Sequence, residues 1–318
     1  MAQSTKRMCF LVPLDGSHLA EAVLPAAATL ASRSHAQIIL LHVMEQHPPS
    51  TIHGDRHLTN VAEAHRYLEK VASSLRDAGV TVESHVHEDK EQSVAQSIFE
   101  HAQELSIDLV IMCTHGHSGL RGFLFGSIAQ QALQRGTQSI LLIFPREDGS
   151  APQFNLQRIL VPLDGTVVHE PALPSAISLA RTFAATIHLI LVIPTLTTLS
   201  GGQAVSGLLL PTTMKAVLDL AQQGAIEYLE HIVEQCRAAG VNVTAEVLRG
   251  DAVPVVLGLA ERLDIDLIVM ASHGRAGLDA LLAGSVAPRI AGKVGRPLLL
   301  VRAQTAGAKS QTDVLVTE

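Results

Sequence analysis

One stretch of this chain occurs twice. Phe10-Leu-Val-Pro-Leu-Asp-Gly16 returns as Ile159-Leu-Val-Pro-Leu-Asp-Gly165, and Ile38-Ile-Leu-Leu-His-Val43 returns as Ile187-His-Leu-Ile-Leu-Val192, both at an offset of 149 residues. Further along, Ile107-Asp-Leu-Val-Ile-Met112 returns as Ile265-Asp-Leu-Ile-Val-Met270 at an offset of 158. A repeat of this length means two copies of one domain joined head to tail. The chain of 318 residues suits two domains of about 150. The change in offset puts a net insertion of nine residues in the second copy, most of it after the second strand, between Pro194 and Pro211.

Each copy alternates short apolar runs with helical spacing. In the first copy the runs are 8–14, 37–43, 80–86, 108–113 and 138–144. They are rich in Val, Ile and Leu and lack polar alternation, as strands covered on both faces should be. Leu58, Ala62, His65, Leu68 and Val71, then Val94, Ile98 and Ala102, have helical spacing. Strand–helix alternation predicts an α/β fold of two tandem Rossmann-like domains, each a five-stranded parallel sheet with helices on both faces. The segment from Glu147 to Asn155 carries Gly, Ser and Pro without apolar periodicity. Domains are therefore expected over 1–147 and 156–303, with a linker over 148–155 and a polar tail over 304–318. Within that tail Val314-Leu-Val316 is expected to fray, with pairing on a sheet edge as the alternative.

Composition narrows the function classes. With 47% hydrophobic and 17% charged residues, disorder is excluded. Aromatics at 3%, with no Trp, do not supply stacking platforms for single-stranded nucleic acid. A net charge of −7 disfavours nucleic acid and anionic membrane as partners. Cys9, Cys113 and Cys236 are odd in number and lie in apolar runs, so they read as reduced thiols of a cytoplasmic protein. Asp15 ends the apolar run from Met8 too early for a signal peptide or a membrane span.

In an open parallel sheet, ligands bind at the carboxyl ends of the strands where chain order reverses. After strand one come Asp15-Gly16-Ser17 and Asp164-Gly165-Thr166. The carboxylate suits a ribose or an adenine amino group, while the Ser or Thr equally suits a helix N-cap. After strand four the first copy reads Thr114-His-Gly116, nine residues, then Gly126-Ser127; the second reads Ser272-His-Gly274, nine residues, then Gly284-Ser285. Glycines let backbone amides form an anion nest, and a helix N-terminus favours phosphate.

With these motifs, nearly all of both halves resembles the universal stress proteins. The resemblance implies a five-stranded α/β sandwich of the adenine-nucleotide α-hydrolase-like group. It also implies ATP or a related adenine nucleotide as ligand, with Mg2+ as a possible companion. By the same resemblance Asp15 and Val43 face adenine and ribose, and Gly116, Gly126 and Ser127 hold phosphate. Asp164, Val192, Gly274, Gly284 and Ser285 match them in the second copy. Pro13, Met112, Cys113 and Ile128, with Pro162, Met270, Ala271 and Val286, complete the implied sites. Both copies depart from the family pattern at the first glycine, which is Cys113 in one and Ala271 in the other.

The halves also differ around the site. Arg249-Gly250-Asp251 follows strand three of the second copy, whereas Glu88-Asp89-Lys90-Glu91 follows that of the first. Arg275 beside the second His-Gly is a fixed cation, where the first copy has His117. These differences favour the second half as the tighter site. The sixteen histidines raise a metal reading, with His85 and His87 on one face of a strand that Glu88 follows, and His53, His57 and His65 in a stretch that could be helical. No Cys-x-x-Cys or His-Glu-x-x-His is present, so surface or core histidines are the better reading and no metal ligands are assigned. His115 and His273 read as supports of the glycine loops.

No nucleophile elbow or Walker motif is present, so no catalytic residues are assigned. The expectation is a stress-response protein using adenine nucleotide as a conformational signal to an unknown protein partner, with the Pro194–Pro211 loop as the moving part. The alternatives are a nucleotide-free scaffold and a slow ATPase or self-phosphorylating protein. The last strands, Ser139 to Phe144 and Pro297 to Val301, are expected to join the halves edge to edge as an internal pseudo-dimer, from which a further homodimer could form.

Overall fold

A computed structural model describes residues 7–88, 93–114, 128–129, 131, 138–146, 148–166, 170–199, 201–273 and 286–303. The first half runs β1 (Cys9–Pro13), α1 (His18–Glu21), α2 (Leu24–Ser34), β2 (Gln37–Val43), β3 (Thr51–Ile52), β4 (Asp55–Arg56), α3 (Val61–Asp77), β5 (Thr81–His87), α4 (Val94–Glu104), β6 (Leu109–Cys113) and β7 (Ser139–Ile143). The second runs β8 (Arg158–Leu163), α5 (Ala172–Phe183), β9 (Thr186–Ile193), α6 (Gly201–Leu209), α7 (Pro211–Ala238), β10 (Asn242–Arg249), α8 (Ala252–Arg262), β11 (Leu267–His273), α9 (Val286–Ala291) and β12 (Leu298–Ala303).

Ten strands form one sheet in the order β10-β9-β8-β11-β12-β7-β6-β1-β2-β5. Within each half the five strands are all parallel. Each half orders its own strands 3-2-1-4-5, so the strand order reverses between strands one and four. The inner strands are buried on both sides, which is why they read as unbroken apolar runs. The edge strands β5 and β10 carry exposed residues.

The halves meet through β7 and β12, paired antiparallel with Leu298 opposite Leu142, Leu299 opposite Leu141 and Leu300 opposite Ile140. At the repeat offset of 158, Leu299 is the counterpart of Leu141, so the centre of this pairing is a residue facing its own equivalent. That is the isologous geometry of a two-fold axis. The core runs through the seam. One apolar cluster joins Phe10, Leu30, Leu68 and Leu141 to Ile159, Leu229 and Leu299. The other, on the opposite face, joins Leu11, Ile98 and Leu142 to Leu160, Val256 and Leu298. Phe154 of the linker packs edge-on against Phe183, and from the first half Arg33 lies 5.8 Å from the centre of the same ring.

Two helical readings change. In α3 the buried face is Ala64, Leu68, Val71, Ala72 and Leu75, while Ala62 and His65 are exposed and Leu58 precedes the helix. Asn60 starts this helix, its side chain accepting from Glu63 N at 2.9 Å. The Pro194–Pro211 segment is not a plain loop: α6 occupies much of it and the 28-residue α7 follows. Gly201, Gly202 and Gly207 mask the helix in the sequence, because glycine weakens helical propensity. Among the described residues no helix is long and apolar enough to cross a membrane.

Candidate functional site

The turn after β1 is built on a carboxylate. Asp15 Oδ1 accepts from the Ser17 amide at 2.8 Å and from its hydroxyl at 2.6 Å. The Ser17 hydroxyl oxygen in turn accepts from Ala20 N at 3.1 Å, so the buried Ser17 caps α1. Gly16 sits at φ +92° with Leu58 folded tightly over it; a β-carbon there would come 2.8 Å from Leu58 Cγ. The second half repeats the turn. Asp164 Oδ1 accepts from the Thr166 amide at 2.9 Å and from its hydroxyl at 2.7 Å, and Gly165 has φ +79°. The next described helix there, α5, is led in by Pro171 without a side-chain cap.

The carboxyl ends of β1, β2 and β6 converge on a cavity of about 90 Å³. Pro13, Asp15, Val43, Met112, Cys113 and Ile128, the six described first-half site residues named from the sequence, all line it. Ile98 of α4 adds to its apolar wall. Gly116, Gly126 and Ser127 lie outside the described residues, as do His115, His117 and Asp89 to Glu91. The cavity is small beside the roughly 300–1,000 Å³ of ordinary ligand pockets.

Cys113 stands where the family pattern has glycine. Burial, helped by the Asp15 charge, pushes its thiol up to about 12. It is therefore a neutral thiol, donating to Thr114 O at 3.3 Å. His42, 2% exposed, donates through Nδ1 to Leu14 O at 2.8 Å and tethers β2 to the end of β1. Burial lowers its pKa, outweighing the opposing pull of the Leu14 carbonyl, so the ring stays neutral.

The lid of this cavity was not legible in the sequence. β3 and β4 form a hairpin whose two-residue turn, His53-Gly54, has φ +51° and +88°. Asp55 latches the hairpin to the start of α1, accepting from His18 N at 2.8 Å and contacting His18 Nδ1 at 3.0 Å. His53 Nε2 lies 3.7 Å from Asp15 Oδ2. His57 is buried beneath the hairpin, with Nδ1 donating to Leu58 O at 2.9 Å and Nε2 3.3 Å from Glu45 Oε1. His53 and His57 are thus not helical; of that trio only His65 lies in α3. A His-Gly pair between Thr51-Ile52 and Asp55-Arg56 was the available signal.

On β5, His85 approaches Glu83 at 3.8 Å while His87 packs edge-on against His101 at 4.8 Å. No group of three His, Cys, Asp or Glu suited to a metal occurs among the described residues.

In the second half Pro162 lies in β8, Val192 in β9, and Met270 and Ala271 in β11 next to β8 and β12. Val286 opens α9. Gly274, Gly284, Ser285 and Arg275 lie outside the described residues, and of His273 only the backbone is described. Arg249 turns to α7, donating to Asp219 Oδ1 and Gln222 Oε1, both at 2.6 Å. Asp251 caps α8 by accepting from Val253 N at 3.3 Å and pairs with Arg289 at 3.3 Å. These two charged residues therefore brace the helices around the strand ends.

Comparison with known proteins agrees on the family. The profile of the Universal stress protein family matches residues 8–143 and again 155–302. A universal stress protein of Mycolicibacterium smegmatis is 26% identical over 313 residues, covering 95% of this chain and 99% of that protein. A universal stress protein of Methanocaldococcus jannaschii is 29% identical over 146 residues, 46% of this chain and 82% of its own length. The crystal structure of a universal stress protein from Archaeoglobus fulgidus aligns with a TM-score of 0.69 at 16% identity, covering 93% of this chain and 98% of that one.

Proposed function

The chain belongs to the universal stress protein family, and from that premise we propose that it is a stress-response protein that binds ATP or a related adenine nucleotide. The observation that carries the reading is the convergence of three strand ends on one cavity holding Asp15, with the same Asp-Gly-Ser/Thr turn in the second half. Apolar walls from Val43, Ile98, Met112 and Ile128 beside the Asp15 carboxylate suit the base-and-sugar end of a nucleotide, with Glu45 turned to His57. Asp15 would accept from an amino or hydroxyl group, while the glycine loops at Gly116, Gly126 and Ser127, and at Gly274, Gly284 and Ser285, would receive phosphate with Mg2+. Binding rearranges the segment after the second strand of the occupied half, and the changed surface is the conformational signal, read by a protein partner. The second half is the tighter site in this reading.

Calorimetric titration with ATP, with mass spectrometry of ligand released from fresh protein, tests it. Micromolar binding that is lost in Gly284→Asp and retained in Gly126→Asp is expected. Absence of nucleotide, together with no heat at millimolar ATP, would remove the proposal and leave the glycine loops as structural elements.

A further inference from the structure

Exposed apolar residues are concentrated in one place. Of the large hydrophobic side chains exposed among the described residues, all but Met8 fall between Leu196 and Leu220: Leu196, Val205, Leu208, Leu209, Leu210, Val217 and Leu220, at 41–84%. They lie on α6, on the residues that flank it and on the start of α7, in and just after the insertion that only the second half carries. The inner face of α7 is buried through Leu218, Ala225, Leu229, Ile232 and Cys236. Beside that face, Thr213, Val217, Leu220 and Gly224 recur at three- and four-residue spacing along a solvent-facing stripe. A β-carbon on Gly224 would meet nothing within 4 Å, so a second helix can approach closely there.

We infer that the α6–α7 pair is the surface through which two copies of this chain associate, face to face about a two-fold axis. Three considerations select a second copy. The patch gathers seven large apolar side chains, each 41–84% exposed, where a monomer ordinarily leaves such residues scattered singly. It is also nearly uncharged. α6 contains no charged residue, and the start of α7 carries only Lys215 and Asp219, the latter held by Arg249, so the patch has neither a charged face for an acidic or basic partner to complement nor the basic polar face by which amphipathic helices hold an anionic membrane. Finally, β7 and β12 are spent on each other inside the chain, so any pairing of copies must use another surface. Two helical hairpins meeting in this way make a four-helix bundle, each burying the other's apolar stripe.

Sedimentation velocity of the full chain, compared with Leu208→Glu/Leu220→Glu, tests this. Both positions are exposed in the single chain, at 84% and 73%, so the double variant should keep the wild-type circular dichroism and melting temperature. The wild type is expected to be a dimer at micromolar concentration, with the dissociation constant raised ~100-fold or more in the double variant. Leu220→Cys should give a cross-linked dimer with a short bis-maleimide, over the background of the wild-type cysteines. A monomeric wild type, or a dimer indifferent to the double substitution, would overturn the inference. So would a monomer that floats with phosphatidylcholine vesicles through this patch, which would assign the surface to lipid.

Discussion

The seam between the halves gives the sharpest test of how this chain is held together. Leu141 and Leu299 face each other at its centre, 2% and 6% exposed, and both belong to the apolar cluster that spans the two halves. Truncating either to alanine removes buried methyl groups and leaves a cavity that neighbouring strands cannot close, at a cost of about 3 kcal/mol. Urea unfolding followed by circular dichroism reads this as a midpoint lowered by about 1 M, taking a slope of about 3 kcal/mol per molar. The location of the loss matters more than its size. Because both core clusters cross the seam, unfolding should be one transition, and Leu141→Ala should weaken residues of β9 and β10 as much as those of β2 and β5. Hydrogen exchange on the two outer strand pairs reports that directly. The two leucines are in register, so their double variant should depart from additivity by about 0.5 kcal/mol or more. Two separate transitions, with Leu141→Ala moving only the first-half one, would refute the continuous core.

Two further outcomes concern the hairpin. Asp55 raises the His18 pKa, chiefly through their side-chain hydrogen bond, while the His18 backbone amide leads in lowering that of Asp55. The latch is therefore strongest above the ordinary carboxylate range and below the ordinary histidine value of about 6.5, fading as pH rises through the raised His18 pKa or falls through the lowered Asp55 one. An NMR titration should show His18 titrating above its ordinary value and returning to it in Asp55→Asn; an unchanged curve would count against the latch. Gly16→Ala should cost more than Gly165→Ala, since both bear positive-φ strain of about 1–2 kcal/mol but only Gly16 would also press on Leu58. Equal losses in thermal melts would mean that Leu58 yields freely.

The β-sheet was legible because buried parallel strands leave continuous apolar runs: 37–43 coincides with β2, and the other first-half runs overlap their strands to within a residue or two at each end. The edge-to-edge meeting of the last strands could be read for the same reason, while their antiparallel direction came only with the structure. What escaped was local and aperiodic. A hairpin of two-residue strands has no period to detect, and His53 and His57, four apart, mimic a helical pair. In α6 three glycines lower helical propensity, and the segment is helical in spite of them. Arg249 looked available to a ligand because its partners Asp219 and Gln222, 30 and 27 residues away, sit on a helix whose docking sequence alone did not reveal.

The leucine ladder at the seam also bears on how the two halves can change with time. Where identical subunits pair, each mutation is duplicated, so both ligand sites receive every alteration at once. Here the partner is covalently attached and present at high effective concentration. One site can then acquire a hairpin and a thiol, and the other a helical insertion, while the symmetric join persists. Fusion thus turns a pair obliged to be identical into two sites free to specialise, and Cys113 against Ala271 is that freedom at a single residue.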